Sequence, residues 1–432
     1  VTYPHAPFDG HELEELVKLV SIACVSSALL ASASAATITV PGNQPTIQAG
    51  VLASSPGDTI LVSAGTYEEN VDIPGGFDGI TIKAKGKVIL DCRPSGATGT
   101  GPGFAVASQN VTIQGFTIRH AKGTNPHGVY SPAGGAGLRL NKLTIEHTDG
   151  PGISIQADGA RIENTTVNGC DGGMQLFGEN ILVSKCTVRQ DGAVGVSVFG
   201  NNGVVSKCKF LTIEDGNAVV IVGANGVIEM NTVDGADTAA LFTQGDNPTI
   251  RSNKILRQCD DDAGIEVLST TIGLIEKNVI RNVYEDGIEI QANASGLTVT
   301  KNTITNCGTE DESSLFVGGS NCIVSKNVIR GGQQDGILVL GDDNTIENNV
   351  VIDCLEDGID LEVGADGSVV TGNKCLKNRG EGFENNGTNT TLINNIMKGN
   401  RIDFANDGSF AATPPGNVFA TGGTGTAPEI DD

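Results

Sequence analysis

A three-residue phrase recurs down this chain: a glycine, a large apolar residue, then in most copies a polar one. It reads Gly152-Ile153-Ser154, Gly173-Met174-Gln175, Gly195-Val196-Ser197, Gly264-Ile265-Glu266, Gly287-Ile288-Glu289, Gly336-Ile337-Leu338, Gly358-Ile359-Asp360 and Gly382-Phe383-Glu384. Most steps are 21 to 24 residues. A fixed period of that length means one structural unit per repeat, each burying its apolar face only by stacking on its neighbours. A 432-residue chain has length for two or three ordinary domains, but the repeat joins most of it into one solenoid.

Within each repeat, short runs alternate in polarity, as in Gly287-Ile288-Glu289-Ile290 followed by Leu297-Thr298-Val299-Thr300. Period two predicts strands with Ile, Val and Leu inward and polar residues outward. A second column keeps the same register: Asn231, Asn253, Asn278, Asn302, Asn327, Asn349, Asn373 and Asn395, each after an Ile/Val/Leu-x-x pattern. Thr165, Cys186 and Cys208 hold that column in earlier repeats. Parallel strands about 4.8 Å apart would let these amides bond to one another along the axis as an asparagine ladder, a structural role. Cys186 and Cys208 would be stacked neighbours at a spacing that permits a disulfide. They are read as reduced core thiols, because the cysteines are scattered and odd in number once Cys24 is set aside.

Residues 1–35 read as upstream residues plus a secretory signal peptide. Lys18 supplies the positive start, Leu19 to Leu30 the apolar run, and Ala33-Ser34-Ala35 the small-residue cleavage site. Residues 36–91 read as an N-terminal cap and first rungs, with a short helix over Pro45–Ala53 and a strand at Thr59-Ile60-Leu61-Val62. The β-solenoid proper runs to residue 402, and residues 403–432, rich in Gly, Ala, Thr and Pro, read as a C-terminal cap or flexible tail. No segment besides the signal is apolar enough to span a membrane. A net charge of −24 excludes non-specific nucleic-acid binding, which needs Lys and Arg.

Two constellations carry chemistry. The first is the enlarged repeat between Phe116 and Leu143, which occupy one column 27 residues apart. Its loop holds Asn125, Pro126, His127 and Tyr130. Register places His120 beside His147 and Arg119 beside Glu146, with Tyr130 and Arg139 near if the loop folds back. His and Tyr suit proton transfers, and Arg or Asn suits neutralising a carboxylate. His120, His127, Tyr130, Arg139 and His147 are therefore the candidate catalytic residues. The second is acidic: Glu266 and Glu289 share an outward column, with Asp260, Asp261, Asp262, Glu285 and Asp286 in the turns before them. Asp360 and Glu384 repeat the arrangement near Glu356, Asp357 and Glu381. Carboxylates stacked about 5 Å apart repel, and a hard cation such as calcium relieves that. Asp261, Asp262, Glu266, Asp286 and Glu289 are the candidate metal ligands. Paired carboxylates at that spacing also suit a glycosidase.

The opening Pro45-Thr46-Ile47-Gln48, Pro56-Gly57-Asp58-Thr59-Ile60 and Gly65-Thr66-Tyr67, followed by the rungs and the asparagine column, resembles the pectin-lyase-like superfamily over about residues 40–402. That resemblance implies an all-β, single-stranded right-handed parallel β-helix with a short N-terminal capping helix. It implies extracellular carbohydrate chemistry by lyases, polygalacturonases or uronan epimerases, and calcium on the outer face as in pectate lyases. It equally covers repeat proteins with no known catalysis. Asn125-Pro126-His127 is similar to the Asp-Pro-His element of alginate epimerases, with Asn where the acid should be. The polygalacturonase series Asn-Thr-Asp, Asp-Asp, Gly-His-Gly, Arg-Ile-Lys is not present as a set.

No Trp and four Tyr leave few aromatic platforms for sugar, and most repeats have minimal loops. The expectation is a secreted or cell-surface solenoid that binds calcium, polysaccharide or both without efficient catalysis. Its partners would be an extracellular polysaccharide or surface matrix. The alternatives are a polysaccharide lyase or uronan epimerase on pectate- or alginate-like polymers, and a self-assembling structural subunit of a surface layer or filament, joined as a homo-oligomer or end to end.

Overall fold

The computed structural model describes residues 34–93, 101–257, 262–309, 312–412 and 415–419. Contacts divide the chain into residues 1–36 and a unit of residues 37–432, and the fold is that of the second unit. The expected signal lies outside the described residues, apart from Ser34 and Ala35. No helix among the described residues is long and apolar enough to cross a membrane.

The second unit is a right-handed parallel β-helix. One turn contains Ile288–Ile290, Leu297–Thr300 and Thr303–Thr305, and the next Leu315–Val317, Ile323–Ser325 and Val328–Arg330. Each strand pairs in parallel with its counterpart one turn on: Glu289 opposes Phe316, Val299 opposes Val324, and Ile304 opposes Ile329. The first strand of every turn joins a fifteen-stranded sheet running from Val71–Ile73 to Ala405–Asn406. The second and third strands form two further ladders. In the opening turns these fuse, because Thr112–Arg119 runs through both and pairs with Arg139–Asn141 and Thr144–Glu146.

Alternation explains the core. Ile288 and Ile290 point inward and are fully buried, as are Ile265, Ile337, Ile359 and Phe383 above and below them. The corner between the second and third ladders is two residues long. Its first residue takes a left-handed conformation, as Lys277, Lys301 and Lys326 do at φ 55–59°. Its second is a buried asparagine. Asn278 Nδ2 donates to Asn302 Oδ1 at 3.0 Å and to the Ile250 carbonyl at 3.0 Å, and the Asn278 backbone N–H donates to the same oxygen at 2.9 Å. The amide thus satisfies backbone groups that the sharp corner takes out of the ladders. In the same column Cys208 N–H donates to Asn231, and Cys186 N–H to Cys208 Sγ at 3.4 Å. Cys186 and Cys208 are free, buried thiols.

A six-residue helix, Ile47–Leu52, lies near the start. Thr46 Oγ1 accepts from Ala49 N–H, and the Glu69 carboxylate accepts from Ile47 and Gln48 N–H. Its Ile47 and Val51 are buried, and Gly50 sits so close to Val40 and Ile60 that a Cβ there would lie 3.0–3.2 Å from their methyls. At the far end the coil continues past the expected boundary at residue 402. Ala405–Asn406 and Val418–Phe419 add to the sheets, and Phe404 stacks on Phe383 at 5.9 Å.

Candidate functional site

The outward column of the fifteen-stranded sheet passes in register from Tyr130 through Ser154, Gln175 and Ser197, later through Glu266 and Glu289, Phe316 and Leu338, then Asp360 and Glu384. On an open sheet face such side chains would be exposed. Here Ser154 is 5%, Ser197 4%, Glu266 9% and Asp360 6% exposed. Tyr130, Gln175, Glu289, Phe316, Leu338 and Glu384 in the same column are half-buried, so this outer face, a trough, is covered at some positions and open at others.

Acidic residues are sunk at two places in this trough. Carboxylate oxygens of Asp262, Glu266 and Glu289 lie within 4.8 Å of one another. Burial, then the Asp262 charge, pushes the Glu266 carboxyl up to about 7. Burial, then the charges of Glu266 and Asp262, pushes Glu289 to about 7. Asp286, expected with them, is buried one step away, where Ser313 Oγ donates to it at 2.7 Å. Burial raises its carboxyl well above the usual range despite that bond. Asp261 lies outside the described residues. Oxygens bound to one calcium at 2.3–2.6 Å sit at most about 5 Å apart, so Asp262, Glu266 and Glu289 fit a hard cation in donor type and in spacing. Beyond them a cavity of about 470 Å³ is lined by Asp286, Glu289, Glu312, Phe316, Leu338 and Leu340 among others.

Past the cavity lies the second group. Oxygens of Asp357, Glu381 and Glu384 again fall within 4.8 Å of one another. Asp360, beside Glu384 in register, is pushed up to about 8 by burial and then by the charges of Asp335 and Glu384. Burial, then the Glu381 carboxyl, pushes Asp357 to about 10. Asp335, absent from the expected set, accepts Asp357 N–H at 2.8 Å. Its sequence signal was the recurring Asp-Gly-Ile of Asp286-Gly287-Ile288, Asp335-Gly336-Ile337 and Asp357-Gly358-Ile359.

The histidines gather at the other end. His120 and His147 stack with ring centroids 6.4 Å apart, and both hold left-handed corner conformations. Asp91, which sequence reasoning passed over, is the hub. Its carboxylate meets His120 Nδ1 at 3.1 Å and Arg119 Nε at 2.9 Å. Burial would raise the Asp91 carboxyl, but the bonds from His120, Arg119 and the Arg93 backbone outweigh it and hold it below the usual value. Arg119 opposes Glu146 in register, as expected, yet its guanidinium turns to Asp91 on the preceding turn. Asp91 was detectable as the residue one period before Arg119.

Tyr130 corrects the expectation of a loop residue. It is the central residue of the strand Val129–Ser131, because Gly128-Val129-Tyr130 is another copy of the glycine phrase. The extra length is split between the turns at 121–128 and 132–138. His127 stacks on Tyr130 at 5.5 Å, and its Nδ1 lies 3.1 Å from the Pro151 carbonyl. Burial holds His127 below the usual imidazole value. Arg139 stands apart from Tyr130, on the second ladder, exposed between Thr112 and Arg161.

No curated protein sequence matches the chain. Solved structures similar to it include the A-module of the Azotobacter vinelandii mannuronan C-5 epimerase AlgE4, at 12% identity and TM-score 0.37, covering 84% of this chain and 91% of that one. A DFA-IIIase from Arthrobacter chlorophenolicus gives 12% identity and TM-score 0.38, over 76% and 85%. The catalytic unit of a GH87 α-1,3-glucanase from Streptomyces thermodiastaticus gives 12% and 0.41, over 90% and 69%. The family described as right handed beta helix region matches residues 60–210, 127–268, 178–314 and 239–402. These segments run without a break from residue 60 to residue 402, well over half of the sequence, and the chain belongs to the right-handed beta helix family.

Proposed function

We propose that this is a secreted or cell-surface polysaccharide-binding β-helix that lays a glycan chain along the trough of its fifteen-stranded sheet. The carrying observation is the cover over part of that trough. Its floor side chains, Ser154, Ser197, Glu266 and Asp360, are almost wholly covered although they point away from the core. A long groove floored by hydroxyl, amide, carboxyl and scattered apolar groups suits a polymer rich in hydroxyls over a compact ligand. The carboxylates of Asp262, Glu266 and Glu289 would hold calcium, and that ion would let an acidic protein take an anionic glycan. The test is binding of polygalacturonate, alginate and a neutral glucan to the whole protein, with calcium and with chelator. Ser197→Trp, which fills the floor, should abolish binding. Equal binding by wild type and Ser197→Trp would refute the trough as the site.

A second reading, polysaccharide lyase or epimerase, is favoured by one observation. Asp91 grips His120 as an orienting carboxylate grips a general base, and His127 and Tyr130 stack nearby in sequence. Formation of an unsaturated uronate, seen as ultraviolet absorbance and lost in His147→Ala, would replace the binding reading by this one.

A further inference from the structure

We propose that Asp357, Asp360, Glu381 and Glu384 form a second, separate site for a hard divalent cation of the calcium class. The first observation is an orphan. Asp360 Oδ1 is buried without any hydrogen-bond partner, on a side chain 6% exposed. Buried polar atoms are nearly always partnered, and an unmatched carboxylate oxygen is among the most expensive to leave bare. The second observation is the carboxylate beside it along the sheet. Asp360 is paired in register with Glu384, whose carboxylate shares a 4.8 Å cluster with those of Asp357 and Glu381.

The neighbouring donors leave the orphan unsatisfied. Glu381 N–H goes to Asp357 Oδ1 at 2.6 Å, and Asp357 N–H goes to Asp335. Arg401 binds both oxygens of Glu381 at 2.8 and 3.1 Å, but one guanidinium offsets only one of four carboxylates. Those bonds instead fix the carboxylates of Asp357 and Glu381 in place before a ligand arrives. Every donor in the group is oxygen, which selects calcium or magnesium over zinc or copper. The half-buried Glu381 and Glu384 leave a path from solvent.

This site does not depend on the glycan reading, nor on the cluster at Glu266. Four strand steps separate Glu266 from Asp360, roughly 19 Å at about 4.8 Å per step. The two clusters cannot share one ion.

The experiment is calorimetric titration of calcium chloride into the full-length protein stripped with chelator, followed by thermal melting with and without calcium. Wild type should bind one more calcium than Asp360→Asn. Glu384→Gln should weaken that same ion by at least about tenfold, since charge count sets affinity in such sites. Glu266→Gln should leave it unchanged. Glu384 is half-buried, so its variant serves if Asp360→Asn fails to fold. Equal calcium stoichiometry and affinity in wild type and Glu384→Gln would overturn the proposal. So would the absence of calcium uptake by wild type at millimolar concentration. Glycan binding that survives in Asp360→Asn while the ion is lost would show that the two proposals stand or fall separately.

Discussion

Replacing Asn302 by alanine probes what holds consecutive turns in register. Asn302 is fully buried. Its Oδ1 accepts Asn278 N–H at 2.9 Å and Asn278 Nδ2 at 3.0 Å, and its Nδ2 donates to the Ile275 carbonyl and to Asn327 Oδ1, each at 3.0 Å. Truncation leaves the Asn278 N–H without an acceptor and takes a donor from the Ile275 carbonyl. Asn278 Nδ2 keeps Ile250 O, and Asn327 Oδ1 keeps the Asn302 backbone N–H. Two buried backbone groups at about 1–3 kcal/mol each put the loss at roughly 2–6 kcal/mol. Asn417, at the end of the same column, bonds to Asn395 and to the Leu392 carbonyl but is only half-buried. Water can replace it, so Asn417→Ala should cost about 1 kcal/mol. Denaturant unfolding followed by circular dichroism compares the two. Hydrogen exchange at Asn278 tests the local effect, because long repeat proteins do not always unfold in one step. A loss below about 0.5 kcal/mol for Asn302→Ala, or one no larger than for Asn417→Ala, would refute the reasoning.

Other expectations follow from the same geometry. Asp360 in the folded chain keeps its proton up to about 8, whereas the unfolded chain releases it near 3.8. In chelator, its unfavourable contribution therefore grows as pH rises from about 4 to 8, and Asp360→Asn should flatten the fall in urea midpoint over that range; parallel pH profiles would contradict it. Asp91 behaves oppositely, since its carboxyl is held low: its stabilisation is present above the unfolded value and is lost as the solution is acidified below it. Asp91→Asn should cost about 2 kcal/mol at neutral pH, read as a lower melting temperature, and nothing at a pH where both states are protonated. The eight described cysteines are free and buried, with Cys92, Cys307 and Cys354 pushed up to about 12 chiefly by burial. Alkylation followed by mass spectrometry should leave these eight unmodified until the protein is unfolded. Rapid labelling of Cys354 in the native protein would contradict that.

Much of this architecture is readable one residue at a time, and particular positions show why. A coil of parallel strands turns sequence separation into vertical neighbourhood. The stacking of His120 on His147, of Asn278 on Asn302 and of Glu266 on Glu289 could therefore be found by counting periods. Counting failed where length varied within a turn. The enlarged repeat after Phe116 carries extra residues in two turns, so Tyr130, expected in a loop, is a strand residue. It also failed for partners chosen by side-chain direction. Arg119 shares a column with both Asp91 and Glu146, and only the coordinates show its guanidinium turned to Asp91.

The sequence by itself determined the coil, its parallel register and the columns of asparagine and acid, because inward and outward positions alternate along each strand and repeat every turn. Tertiary structure alone decided how deep those columns lie. The sequence places Glu266, Glu289, Asp360 and Glu384 on the outward face and says nothing of how far they are covered. Folding covers Glu266 and Asp360 and leaves one oxygen of Asp360 without a partner. Burial and partnering depend on how neighbouring side chains and turns pack over each position, and the period does not encode that packing.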